Sequence, residues 1–226
     1  MVKKQAYIQA IFDGTNHLPF EICEKIVYFM YSYAFEDSFE FTKAVQKYPN
    51  NIDKYGNISY WDVSNVNNMY SAFYYKNINV DISRWDVSNV INMNYMFGFS
   101  SFNGDISQWD VSSVKKMDGM FGGSKFNGNI SHWNTINVQT MMSIFSFSVF
   151  NGDISNWNVR NVKIMDGLFI GNNVFNGDIS KWDLSSVENK DFMIIHDIVL
   201  EREIERHKER NPDIETDKDT KRKKSR

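Results

Sequence analysis

Six tryptophans lie on a ruler. They are Trp61, Trp85, Trp109, Trp133, Trp157 and Trp182, with successive spacings of 24, 24, 24, 24 and 25 residues. A fixed period of this length means units that stack, because one unit is too small to bury its own apolar side chains. The neighbouring positions keep the register. A serine lies two residues before each Trp, from Ser59 to Ser180, and a valine five residues after it, from Val66 to Val187. Methionine follows at Met69, Met93, Met117, Met141 and Met165, and phenylalanine at Phe73, Phe97, Phe121, Phe145 and Phe169.

Residues 103–126 show what one unit encodes. Asn103-Gly104 is a turn signal, since both residues tolerate positive φ. Ser107, Trp109 and Val111 then alternate with Gln108 and Asp110, which is the period of a short strand. Ser112 is a helix-capping residue type. Val114, Met117, Met120 and Phe121 fall on one face of a short helix, ended by Gly122-Gly123. The expected fold is α/β: a solenoid of about six units resembling leucine-rich repeats. Each 24-residue turn carries one short parallel strand and one short helix, with helical caps at both ends. The expected organisation is an N-terminal cap over residues 1–50, the solenoid over 51–194, a C-terminal helix over 195–211 and a charged tail over 212–226. Apolar residues make up 42% of the chain, enough for a continuous core of that kind.

The repeating letters resemble the BspA-like repeat family, found in mycoplasma-type lipoproteins and in some protist and giant-virus proteins. Its pattern runs close to F-N-x-D-I-S-x-W-D-V-S-x-V-x-x-M-x-x-M-F, and residues 102–121 match it almost letter for letter. The resemblance spans roughly residues 57–194. It implies a relative of leucine-rich repeats and an adhesion or interaction role, and it brings no catalytic residues. Units four and five depart from it at Asn134, Thr135, Ile136, Asn158 and Arg160. Unit six has Lys190 and Ile194 where Met and Phe are expected, as suits a terminal unit.

The N-terminal 50 residues do not repeat. Leu18, Pro19 and Ile22, followed by Ile26, are similar to the opening of an F-box, which implies docking to a Skp1-type adaptor of a ubiquitin ligase. The other reading of this segment is a helical cap, with Phe41, Ala44 and Val45 on one apolar face. At the far end, Phe192, Ile195 and Val199 are suited to close the core. The chain beyond Pro212 is too polar to fold. Its basic tip, Lys221 to Arg226, reads either as a solubilising tail or as a nuclear address.

Composition excludes several classes. A net charge of -3 gives no overall attraction to nucleic acid. The single cysteine, Cys23, allows no disulfide within the chain. There is no apolar run of signal-peptide or membrane-spanning length, so the expectation is an intracellular protein without a membrane span. The four histidines, His17, His132, His196 and His207, are scattered, and no phosphate loop, zinc spacing or nucleophile elbow is present. No enzyme activity, metal or cofactor is expected.

Two polar columns stand beside the tryptophans. The first is Tyr60, Arg84, Gln108, His132, Asn156 and Lys181, different in every unit. Variation beside invariant core columns fits either a recognition surface or unconstrained surface. The second is Asp62, Asp86, Asp110, Asn134, Asn158 and Asp183. Its carboxylates either attract a basic partner or a cation, or hold local turns by accepting backbone N–H bonds. The serine column is expected to point inward beside Trp. The functional expectation is a non-catalytic scaffold that binds a protein through the strand-lined face. An F-box-type adaptor and a structural coat protein are the alternatives.

Overall fold

A computed structural model describes residues 32–188. The chain enters through a two-residue strand, β1 (Tyr33–Ala34), paired in parallel with β2 (Trp61–Asp62) of the first unit. Between them lie α1 (Ser38–Lys47) and the single turn α2 (Ile52–Tyr55). Asp37 starts α1 because its carboxylate accepts from the amides of Phe39 and Glu40, at 2.9 and 2.8 Å. The apolar face of α1 is Phe41, Ala44 and Val45, all buried. Phe41 packs edge-on against Trp61 and Trp85, so α1 covers the start of the repeats.

Successive units then lie one on the next. Isolated parallel bridges join Asn68 to Asn92, Asn92 to Lys116, Lys116 to Thr140 and Thr140 to Ile164, one 24-residue step each time. The core is columns of like side chains. Trp61 and Trp85 stack at 6.4 Å between centroids, as do Trp85 and Trp109, with planes within 7°. Phe73, Phe97, Phe121, Phe145 and Phe169 form a second stack at 5.4 to 5.8 Å. Phe102, Phe126, Phe150 and Phe175 form a third, and members of the two phenylalanine stacks also meet at 4.0 to 4.2 Å. Each large ring is thereby shared between neighbouring units, which explains why no unit is self-sufficient.

The segment expected as a helix is instead a run of turns. Among the described residues the only α-helices are α1 and α2, both ahead of the repeats. From Met117 onward, alternate amides point in two directions. Met117, Gly119, Phe121 and Gly123 donate to the carbonyls of Thr140, Met142, Ile144 and Ser146 in the next unit, at 2.6 to 3.0 Å. Met120, Gly122 and Ser124 donate back three residues within their own unit. The run requires positive φ at every fourth residue, as at Gly119 (58°) and Gly123 (64°). An α-helix would keep these amides to itself. The turn run spends half of them on the neighbouring unit and so fixes the stacking register.

The expected strand also differs. Along Ser107, Trp109 and Val111 the units are joined by a side chain: the indole Nε1 of Trp109 donates to the carbonyl of Ile82 in the preceding unit, at 3.1 Å. Trp85, Trp133, Trp157 and Trp182 repeat this bond. The inward set is Ile106, Trp109, Val111 and Val114, while Ser107 is half-buried. The cause is Asp105, whose carboxylate accepts from the Ser107 amide at 2.9 Å and folds the chain into a turn. That rotates Ile106, rather than the serine, into the core.

Candidate interaction surfaces

The first polar column lies outside the core. Arg84, Gln108, His132, Asn156 and Lys181 are exposed at equivalent positions of successive units, and Tyr60 is half-buried. The five exposed side chains comprise two cations, two amides and an imidazole, so the surface changes character from unit to unit. The second column is engaged locally. Asp62, Asp86, Asp110 and Asp183 each accept from the amide of the serine two residues on, at 2.9 to 3.1 Å. Asn134 and Asn158 make the same bond to Ile136 and Arg160. The turn reading of this column is the one the geometry shows.

A second carboxylate row serves the preceding turn. Asp81, Asp105, Asp153 and Asp178 accept from Ser83, Ser107, Ser155 and Ser180, with Asn129 doing so in unit four. The serine hydroxyl and amide hold Asp81 and Asp110 below the usual carboxylate range. Asp105 and Asp153 are lowered by the serine amide first and its hydroxyl second. These groups stay anionic to low pH, and the charge of Arg84 adds to the effect on Asp81.

A third surface has no counterpart in the sequence reading. The turn run of the first two units carries Tyr70, Tyr74, Tyr75, Tyr95 and Phe99 in mutual contact. Tyr75 stacks on Phe99 at 4.8 Å with planes 5° apart. Tyr74 meets Tyr75, Tyr95 and Phe99 edge-on, and Tyr70 meets Tyr95 in the same way. Tyr70 is 51% exposed, Tyr75 66% and Phe99 46%; two units further on, Phe147 is 66% exposed. These side chains lie where an amphipathic helix would have shown its polar face, which is why a helical reading passes over them. The visible signal was tyrosine in the run Tyr70-Ser71-Ala72-Phe73-Tyr74-Tyr75, whose last position holds glycine in units three and five.

Leu18, Pro19, Ile22 and Ile26 lie outside the described residues, as do Cys23, His17, His196, His207, residues 195–211, where a helix was expected, and the basic tip. No group of three or more metal-ligating side chains occurs among the described residues, and none of their helices is long and apolar enough to cross a membrane.

Together, the in-register stack and its decorated surfaces define a repeat protein whose units share one core. The chain belongs to the family described as Mycoplasma protein of unknown function, DUF285, which matches residues 32–148 and again 123–214. The overlapping matches reflect the repeat, and the family is the one the W-D-V-S pattern resembles. Neither a curated protein nor a solved structure matches the chain. The F-box-like residues 18–26 precede the matched region.

Proposed function

We propose that this chain is a non-catalytic solenoid scaffold that binds a partner protein through the column formed by Arg84, Gln108, His132, Asn156 and Lys181. One observation carries the reading. These side chains are exposed and different in every unit, while the carboxylates beside them are committed to turns and the rings behind them to the core. A surface that varies on a backbone that does not is how repeat scaffolds set specificity. An adaptor role would rest on Leu18, Pro19, Ile22 and Ile26 alone, because the apolar face of α1 is already buried against Trp61 and Trp85.

The test is affinity purification with the whole chain, followed by direct titration of the recovered partner. The double charge reversal Arg84→Glu with Lys181→Glu is expected to weaken binding at least tenfold while leaving the circular dichroism spectrum unchanged. Equal affinity for both forms would remove this column from the binding surface.

A further inference from the structure

The aromatic patch stands on a different stretch of each unit from the Arg84 column, and its backbone is unusual. Tyr75, Tyr95, Phe99 and Phe147 all have φ between 53 and 56°. The left-handed region costs an L-residue about 1–2 kcal/mol, and glycine avoids that cost. Glycine does take the same two positions in units three and five, at Gly119, Gly123, Gly167 and Gly171. The turn run imposes this conformation on Ser71 and Ser143 as well, so four of its strained positions are filled by rings, of which Tyr75 and Phe147 are mostly exposed, Phe99 about half and Tyr95 half-buried.

The rings are also fixed in place. A Cβ on Gly119 would lie 2.4 Å from Cε1 of Tyr95, one on Gly123 2.4 Å from Cδ1 of Phe99, and one on Gly171 2.3 Å from Cδ1 of Phe147. Each ring thus occupies the space above the glycine of the next unit; on their other sides Phe99 carries Tyr75 and Tyr95 meets Tyr70 and Tyr74, while Phe147 is exposed. Rings held this way form a preorganised platform.

We propose that this platform, Tyr70, Tyr74, Tyr75, Tyr95 and Phe99 continued by Phe147, docks a proline-rich segment of a partner protein in the polyproline II conformation, flanked by acidic residues. Spacing is the first argument. Phe99 and Phe147 are equivalent residues two units apart, about 10 Å at ordinary interstrand spacing. One polyproline II turn of three residues rises about 9 Å, so prolines three apart meet successive rings. Hydrogen-bond chemistry is the second. Four tyrosines supply hydroxyl donors, and a proline-rich segment offers carbonyl acceptors with few N–H groups. The amide and carboxylate that a sugar would need are consumed nearby. Asp118 accepts from Asn94 Nδ2, Thr140 Oγ1 and the Met142 amide at 2.9 to 3.0 Å, and Asn94 Oδ1 accepts from the Asp118 amide at 2.7 Å. Charge is the third. The patch itself holds no charged side chain; half-buried Lys76, next to Tyr75, donates its ammonium to the Gln46 carbonyl at 3.3 Å, and exposed Lys125 donates its amide to the Ser100 carbonyl, beside Phe99. That rim favours acidic neighbours to the prolines.

The experiment is fluorescence anisotropy of a labelled 12-residue Pro-Pro-Glu repeat peptide titrated with the whole chain. A Gly-Gly-Glu peptide of equal length and a gluco-oligosaccharide serve as competitors. Saturable binding of the proline peptide is expected, weakened at least tenfold by Tyr75→Gly with Phe99→Gly and unchanged by Arg84→Glu with Lys181→Glu. Glycine suits the local backbone, so these variants remove rings without removing the turns; Phe147→Gly is a second, independent variant. Absence of saturable binding, equal binding of the glycine peptide, displacement by the oligosaccharide, or indifference to the glycine variants would each overturn the proposal. Because the Arg84 column is altered separately, failure here leaves the scaffold reading standing, and the converse also holds.

Discussion

Gly123→Ala measures how far one unit dictates the side chains of the next. Gly123 has a φ of 64°, and its amide donates to the Ser146 carbonyl at 2.6 Å, so the backbone is tied in place. Alanine there costs about 1 kcal/mol for the left-handed conformation alone. Its Cβ would also stand 2.4 Å from Cδ1 and 2.5 Å from Cε1 of Phe99, so the ring must swing away. Phe99 is 46% exposed, so leaving forfeits roughly half of its burial, about 1 kcal/mol. The sum is about 2 kcal/mol, or a urea midpoint lower by roughly 1 M at an ordinary slope. Urea unfolding followed by tryptophan fluorescence reads it directly. In a Phe99→Gly background only the backbone cost remains, so the same substitution should lose about 1 kcal/mol, a coupling of about 1 kcal/mol. Gly122→Ala is the control: its Cβ would meet Ser146 Oγ at 3.2 Å and no aromatic ring, so it should not couple to Phe99. Equal losses from Gly123→Ala in both backgrounds would refute the ring-over-glycine account.

Two further predictions concern the core and the turns. Trp109→Phe removes the indole donor to the Ile82 carbonyl, 3.1 Å away and buried, leaving that oxygen only the Trp85 amide at 3.1 Å, and it shrinks the stack. A loss of about 1–3 kcal/mol by urea unfolding is expected, and no measurable loss would show that the indole bond is dispensable. Asp81, Asp105, Asp110 and Asp153 have carboxyls lowered by their serines, so their contribution is complete above about pH 4 and lost as pH falls through the lowered values. Urea midpoints should be level from pH 7 to about 5 and fall below about 4. Asp105→Asn should flatten that fall while keeping the turn, because Asn129 already holds the equivalent turn in unit four at 3.1 Å from the Ser131 amide. An unchanged acid profile would count against these carboxylates.

Period and core columns were legible because they depend on side-chain size alone. Every tryptophan on the 24-residue ruler is buried, as are the valines from Val66 to Val187 and the methionines from Met69 to Met165. Local conformation was less legible, for a physical reason. Inward residues at 117, 120 and 121 satisfy a helical face, but a chain of turns that returns every few residues puts the same three inside. Three glycines, Gly119, Gly122 and Gly123, were the discriminating letters. Each costs about 1 kcal/mol in a helix interior, and two of them meet the positive φ of the turn run. Likewise, reading Ser107, Trp109 and Val111 as alternation ignored Asp105. A carboxylate two residues ahead of a serine competes for its amide and turns the chain before a strand can extend.

The surfaces divide along the same line. The Arg84 column was visible because its neighbours are invariant within the chain, so its variation stood out. The aromatic platform was hidden because glycine and a large ring in one column look like unrelated choices. Physically they are complementary across one step of the stack. Phe99 requires an empty position above Gly123, Phe147 requires one above Gly171, and Tyr95 one above Gly119. Where the next unit carries a ring instead, as Phe99 does beneath Tyr75, the two must lie parallel, and they do so 5° apart. A ring in this column therefore either faces a glycine or stacks on another ring. The pattern Tyr75, Phe99, Gly123, Phe147, Gly171 obeys that rule throughout, so the spacing of exposed rings along the stack is fixed by where glycine recurs.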